Sequence, residues 1–430
     1  MLLSFKDDSR SPNIQKPQNF QYMKILRFNL KIICAWPEKQ LNEIRSLGHS
    51  IHRVILPIQS VVCLACGILY IHFHFNEIPF FILASTFITV MMNLVTCSRT
   101  ALVMLFERYL VLTGRFITVM HLFNFQKNSD YAYKLCTFVN RMSHFYTLYV
   151  LFSMFMGLGL FNLLPLYNNY VSGAFSDPYG PNVTFFHSVY FAFPFDYSHN
   201  FRGYIIMALF NSYVSVTCSI GLVMFDLLMC LMVMHVWGHL KILSHNLINF
   251  PRPKASHVIT TPNGPTNVET YTEEESKEVF ARLRECIKHY GTVDDFANDM
   301  SETFGVILLV YYGFHQVSLC MLLLECSDLS TKAMLRYGPL TLIMIQQLIQ
   351  ISIIFELLGS VADRIPDAVY QLPWECMDVK NRRVVYGFLR RTQNPVRFKA
   401  MGILDVGVQT MASILKTSIS YFVMLRTVAT

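Results

Sequence analysis

Six stretches of this chain run for about 20 residues without a single Asp, Glu, Lys or Arg: 54–75, 78–98, 145–166, 203–225, 303–324 and 337–355. About 20 apolar residues is what a helix needs to cross a hydrocarbon core roughly 30 Å thick. In that medium the backbone finds no water, so a run that is not part of a closed barrel must pair its own N–H and C=O groups as a helix. Composition agrees: 430 residues, 53% hydrophobic, 15% charged and a mean hydropathy of +0.38 are too apolar for a soluble protein of this size. A seventh apolar run, 402–426, carries Asp405 near its start and Lys416 near its middle. The expected fold is an all-α membrane protein of seven transmembrane helices. It divides into a cytoplasmic N-terminal segment 1–50, a six-helix body 51–361, a cytoplasmic anchor-helix region 362–401 and the last helix 402–426. The N-terminus is polar and charged early, which predicts no cleavable signal peptide.

Orientation follows from Lys and Arg between the spans. The N-terminal segment and the second-to-third, fourth-to-fifth and sixth-to-seventh connections together hold 29, against 4 in the alternate set. Positive charge collects on the cytoplasmic side. The reading is therefore N-terminus cytoplasmic and C-terminus extracellular. The sequon Asn182-Val183-Thr184 falls in the third-to-fourth connection, which the charge rule places outside, and Asn182 is a candidate glycosylation site. This plan is inverted relative to G-protein-coupled receptors. Two segments look like that class's signatures, Glu107-Arg108-Tyr109 and Asn394-Pro395-Val396-Arg397-Phe398, but the first follows the second span and the second precedes the seventh. They read as an interfacial charge pair and a helix break.

Between the spans, Ile25, Phe28, Ile32 and Trp36 recur at three and four, predicting an amphipathic helix that lies on the inner leaflet or packs on the bundle's base. The outside loop from Tyr167 to Arg202 contains ten aromatic residues among Phe175 to Phe201 and should fold back as an apolar lid. Pro251 to Pro265 reads as a linker. After Pro373, the apolar face of Trp374, Met377, Val384, Val385, Phe388 and Leu389 suggests contact with neighbouring subunits. The eleven scattered cysteines imply no disulfide framework, and Cys63-x-x-Cys66 reads as helix packing. No phosphate loop, nucleophile elbow, metal cluster or paired intramembrane carboxylate appears. Asp226, Glu356 and Asp405 read as interfacial charges at inner helix ends. The chain is read as not an enzyme, with no cofactor and no metal site. In the last run Thr410, Ser413, Thr417 and Ser420 share a helix face. That stripe reads either as the wall of a watery path or as interhelical hydrogen bonding, with Lys416 snorkelling.

Several phrases carry a resemblance. Tyr370-x-Leu372-Pro373-Trp374, Arg390-Arg391-x-Gln393-x-Pro395, then Ser413-Ile414-Leu415-Lys416-Thr417-Ser418-x-Ser420-Tyr421-Phe422 and Leu425-Arg426 resemble the C-terminal signature of insect odorant receptors. Met23 to Phe28, Ala35-Trp36-Pro37 and Met411 to Phe422 resemble the moth sex-pheromone receptors within that family. The chain differs from the family's co-receptor, Orco, which has a longer loop before the fifth span and lacks the Lys-Thr-Ser ending. The resemblance implies a tuning subunit of a ligand-gated, non-selective cation channel, a tetramer with Orco in the plasma membrane of sensory dendrites. It implies seventh helices lining the pore, through Thr410, Ser413, Thr417, Ser420 and a gate at Met424, and a ligand held between outer helix halves. With the topology above, that names Phe80, Phe81, Phe87, Phe161, Met207, Phe210, Asn211, Thr341 and Ile345 as ligand-binding candidates. An apolar pocket of this kind suits an unsaturated long-chain acetate, aldehyde or alcohol. The alternatives are a gustatory-type receptor, a transporter and a G-protein-coupled receptor; a transporter would show repeat symmetry and broken spans, which the sequence lacks.

Overall fold

The computed structural model describes residues 14–44, 47–75, 80–176, 178, 180, 183–254, 256–261, 264–326 and 331–429. Side chains at 47, 49, 80–82, 84–85, 256–261, 264–268, 325, 331–337, 425–426 and 428–429 lie outside the description. The helices are α1 (Gln21–Ile32), α2 (Leu47–His74), α3 (Phe80–Leu105), α4 (Glu107–Arg115), α5 (Asp130–Val171), α6 (Phe201–Ile248), α7 (Glu273–Cys326), α8 (Thr331–Ala362), α9 (Ile365–Tyr370), α10 (Val379–Thr392) and α11 (Val408–Ala429). Among the described residues six helices, α2, α3 and α5 to α8, are long and apolar enough to cross a membrane. The seventh long helix, α11, has 22 residues.

Three helices far exceed a bilayer. α5, α6 and α7 have 42, 48 and 54 residues, or roughly 60–80 Å at 1.5 Å per residue. Their excess projects from one end of the bundle, here called the basal end. α6 is the central post: 72% of its most apolar stretch is buried, against 17–33% for α2, α3, α5 and α8, whose outer faces are left for lipid.

The basal end is packed like a soluble core. Phe20, Tyr22, Met23, Leu26, Leu30 and Trp36 of the N-terminal segment are fully buried against α6 and α5. Each such side chain contributes roughly 1.5–3 kcal/mol when removed from water. This revises the sequence expectation for α1. The face of Ile25 and Phe28 is the outer one, with Phe28 68% exposed, and the buried face is that of Tyr22, Met23, Leu26 and Leu30. Both faces carry apolar residues, and the one whose polar atoms find partners is the one buried. α10 likewise turns Val385 and Phe388 inward, with Phe388 edge-on to Tyr290 of α7 at 5.7 Å between ring centres. Trp374 stays 41% exposed. The expected linker contains a hairpin, β1 (Ser256–Thr261) antiparallel to β2 (Gly264–Glu269). α10 ends at Thr392, just before Asn394-Pro395, and all eleven cysteines are free thiols.

α11 returns along α7 and α8. Gln316 Nε2 of α7 donates to Ser418 Oγ at 3.0 Å, and the Glu356 carboxylate of α8 accepts the first helical N–H, from Val408, at 3.2 Å. Glu356 thus sits where a helix N-terminus favours a negative charge.

Candidate functional site

A cavity of about 190 Å³ lies inside the bundle, walled by α3, α5, α6, α7 and α8. Its origin is legible in one helical stripe. On α6, Val214, Ser215, Cys218, Ser219, Leu222, Val223 and Asp226 recur at three and four and face the same way. Small side chains at 215, 218 and 219, with Gly157 across on α5, leave the space. Phe161, Met92, Met154, Leu222, Phe314 and Met344 make most of the remaining wall apolar. From Val214 to Asp226 the stripe runs for about 18 Å along α6.

The roof is the aromatic loop, which folds inward. Phe185, Val189, Phe191 and Tyr197 are buried, and Val189 itself lines the cavity. Asn169 of α5 clamps the loop twice, its Oδ1 accepting from the Phe186 N–H at 2.7 Å and its Nδ2 donating to the Phe186 carbonyl at 2.9 Å. Asn211 Nδ2 donates to the Val189 carbonyl at 3.1 Å, and the Ala192 N–H donates to the Cys66 carbonyl at 3.2 Å. Gly203 lets α6 start against this loop, since a Cβ there would collide with the Asp196 carbonyl oxygen.

At the floor, α3 and α6 share an ion pair. Arg99 is buried; its guanidinium donates to Asp226 Oδ1 at 2.7 Å and to the carbonyls of Gly221 and Leu222. The sequence reading made Asp226 an interfacial charge. Instead it is the cavity's one carboxylate, held by an arginine from the other wall. Each charge here is tolerable only because the other is present.

Of the nine ligand candidates, Phe161 lines the cavity. Phe87, Thr341 and Ile345 each sit beside a lining residue, Ile88, Leu340 and Met344 respectively, and one step along a helix rotates a side chain by about 100°. Thr341 is buried with its hydroxyl 3.7 Å from Cys326 Sγ, and Ile345 packs on the main core. Met207, Phe210 and Asn211 lie above the cavity, packed under the loop, where Phe210 meets Phe191 and Phe193 edge-on. The side chains of Phe80 and Phe81 lie outside the described residues. Sequence reasoning did not name α7 as a wall, so Tyr311, Phe314 and His315 were missed; a histidine inside an otherwise uncharged span was the available signal.

On α11 the hydroxyl stripe points away from the protomer. Ser413, Ser420 and Met424 are exposed, Thr417 is half-buried, and Thr410 is buried at the stripe's edge, while Ile414 and Ser418 face α7. Thr417 and Ser420 donate to the carbonyls of Ser413 and Lys416, and Thr410 to that of Asp405. The stripe therefore presents oxygen lone pairs outward. Asn182 lies outside the described residues.

A family model described as 7tm odorant receptor matches residues 86–419. The chain belongs to that family. Membership makes this multi-pass membrane protein a receptor rather than an enzyme. The receptor is similar to Odorant receptor 22c of Drosophila melanogaster, 26% identical over 162 residues, 37% of this chain and 40% of that protein. It is similar to Putative odorant receptor 85d of the same fly, 24% identical over 240 residues, 54% and 52% of the two chains. These matches span about half or less of each relative's length. Its fold resembles the insect olfactory receptor OR5 from Machilis hrabei, with a TM-score of 0.75 over 94% of this chain and 97% of that one at 14% identity. The structure of OR5 in complex with eugenol matches with a TM-score of 0.74, over 95% and 98% of the chains at 13% identity. The receptor thus has the seven-helix insect odorant receptor fold.

Proposed function

We propose that the receptor is the ligand-tuning subunit of a ligand-gated, non-selective cation channel. It assembles with Orco as a tetramer, N-terminus inside and glycosylated at Asn182 outside, in the plasma membrane of sensory dendrites. Its ligand is a long-chain unsaturated volatile with one polar head, of the kind the moth pheromone receptors take. The observation that carries this reading is the roofed cavity, apolar along most of its 18 Å or so and polar toward Asp226 and α7. Its volume lies below the roughly 300–1,000 Å³ of ordinary ligand sites, so a long chain enters by moving Met92, Met154 and Met344, flexible side chains suited to that. The eugenol complex of OR5 supports a small volatile ligand for this fold. The outward hydroxyls of Ser413, Thr417 and Ser420, with Met424 beyond them, favour a shared aqueous path over a lipid face.

The test is electrical. Cells expressing the receptor with Orco are expected to pass inward cation current when given members of a panel of unsaturated acetates, aldehydes and alcohols. Orco alone is expected to stay silent to them. Equal responses with and without the receptor would discard the tuning role.

A further inference from the structure

Some of the cavity's polar side chains are engaged with neighbours and some are not. Ser153 and Ser215 are already engaged, the first donating to Gln346 Oε1 at 3.2 Å and the second bonded to Asn162. His315 Nε2, Tyr311 Oη and Asn93 Nδ2 have no partner among the described protein atoms, although all three residues line the cavity and none is more than 3% exposed. Tyr311 and His315 are one turn apart on α7, with ring centres 4.0 Å apart. Asn93 of α3 lines the same cavity, and its Oδ1 accepts from the Cys218 thiol at 3.7 Å. Buried polar atoms left unpaired are costly, so three around one cavity mark where its occupant must be polar.

The hydrogen-bonding sense of His315 Nε2 and Asn93 Nδ2 is determined, and the Tyr311 hydroxyl can serve either way. His315 Nδ1 lies 3.0 Å from the Tyr311 carbonyl oxygen. A carbonyl only accepts, so Nδ1 carries the proton and Nε2 of the neutral ring presents a lone pair. Asn93 Nδ2 can only donate, and the Tyr311 phenol has a proton to give. The site therefore offers a donor at Asn93, an acceptor at His315 and a hydroxyl at Tyr311 able to give its proton to an incoming oxygen, and the His315 acceptor can be satisfied only by an O–H or N–H. Asp226 does not make this a cation site, because Arg99 already neutralises it.

We propose that His315 and Tyr311, with Asn93, recognise the ligand's polar head and select a hydroxyl, making a long-chain unsaturated alcohol the preferred ligand. An alcohol accepts from both Tyr311 and Asn93 and donates to His315 Nε2, pairing every member. An aldehyde or acetate only accepts, and burying it strands Nε2 without water. Sites built to bond a hydroxyl discriminate strongly against analogues that lack it.

The inference rests on the ligand class proposed above, and binding rather than current keeps the two separable. The full-length receptor, purified in detergent, is titrated with an alcohol, aldehyde, acetate and amine sharing one unsaturated chain. The alcohol is expected to bind about tenfold or more tightly than the acetate. His315→Phe is expected to abolish that preference by weakening the alcohol without weakening the acetate, and His315→Gln, which restores an acceptor, to recover it. Tyr311→Phe, which removes a donor and leaves the acceptor, is expected to weaken alcohol and acetate alike. Equal wild-type affinities, tightest binding of the amine, binding of none of the four, or parallel loss of alcohol and acetate in a normally folded His315→Phe would each overturn the proposal. Alcohol preference in binding with no current alongside Orco would instead discard the channel reading and leave this one standing.

Discussion

At the scale of single residues, the basal end is governed by which ring nitrogen holds a proton. The Phe123 N–H donates to His121 Nδ1, so the ring's proton is on Nε2, which donates to Tyr22 Oη at 2.7 Å; Tyr22 in turn donates to Asn140 Oδ1 at 2.9 Å. His235 is set the same way, accepting from the Leu122 N–H at Nδ1. A second proton on either imidazole would point at a backbone N–H. Burial pushes the His121 pKa down to about 3, with His239 nearby adding to the effect. The unfolded chain, with an ordinary histidine pKa of about 6.5, takes up the proton first as pH falls. Stability from this group is therefore complete above about pH 6.5 and drains away as pH drops toward 3. At pH 5 the loss is about 2 kcal/mol. The thermal stability of the detergent-solubilised receptor is expected to fall off between about pH 7 and 5, and His121→Gln to make that slope shallower by one histidine's share, burial depressing His235, His239 and His289 as well. An unchanged slope in that variant would mean His121 is not among the groups responsible.

At the scale of elements, α11 has one face committed and one facing out. Ile414 and Ser418 are held against α7, whereas Ser413, Ser420 and Met424 are exposed, Ser413 at the lip of a groove shared with α7. Cysteines at Ser413, Thr417, Ser420 and Met424 are expected to react with water-borne thiol reagents when ligand opens the channel with Orco, and cysteines at Ile414 and Ser418 to stay protected. Met424→Ser is expected to raise ligand-free current by lowering the barrier to wetting. Uniform protection of the first four positions would remove this face from the pore. The stripe was legible in sequence because hydroxyls at spacings of three and four stand out in an apolar run. α1 was not, because Ile25, Phe28 and Ile32 form as plausible a stripe as Tyr22, Met23, Leu26 and Leu30. The choice between them depends on His121 and Asn140, about a hundred positions away in the chain.

For the whole molecule, sequence conveyed the spans better than their rotation. The uncharged runs anticipate α2, α3 and the membrane portions of α5 to α8, because hydrocarbon penalises charge whatever the tertiary contacts. They carry no sign of which way each helix turns, so Phe87, Thr341 and Ile345 were named where Ile88, Leu340 and Met344 line the cavity. Arg99 and Asp226 also escaped, since a charge at the edge of an uncharged run looks interfacial until its partner on another helix is seen. Sidedness rests on a different physical cause, the 29-to-4 partition of Lys and Arg. The basal helices concentrate that charge: Arg108 pairs with Glu302, Arg115 with Asp299, Arg391 with Asp294 and Arg397 with Asp363, while cations such as Lys380 remain beyond these pairs. Translocating this end across a membrane during insertion would mean carrying most of the chain's basic residues with it, so it is expected to remain in the cytoplasm. An epitope tag preceding Met1 should then be hidden from antibody in intact cells and exposed on permeabilisation, and a tag following Thr430 should be accessible throughout. The reverse pattern would invert the cavity as well, placing its aromatic roof in the cytoplasm and leaving an airborne ligand no direct path to it.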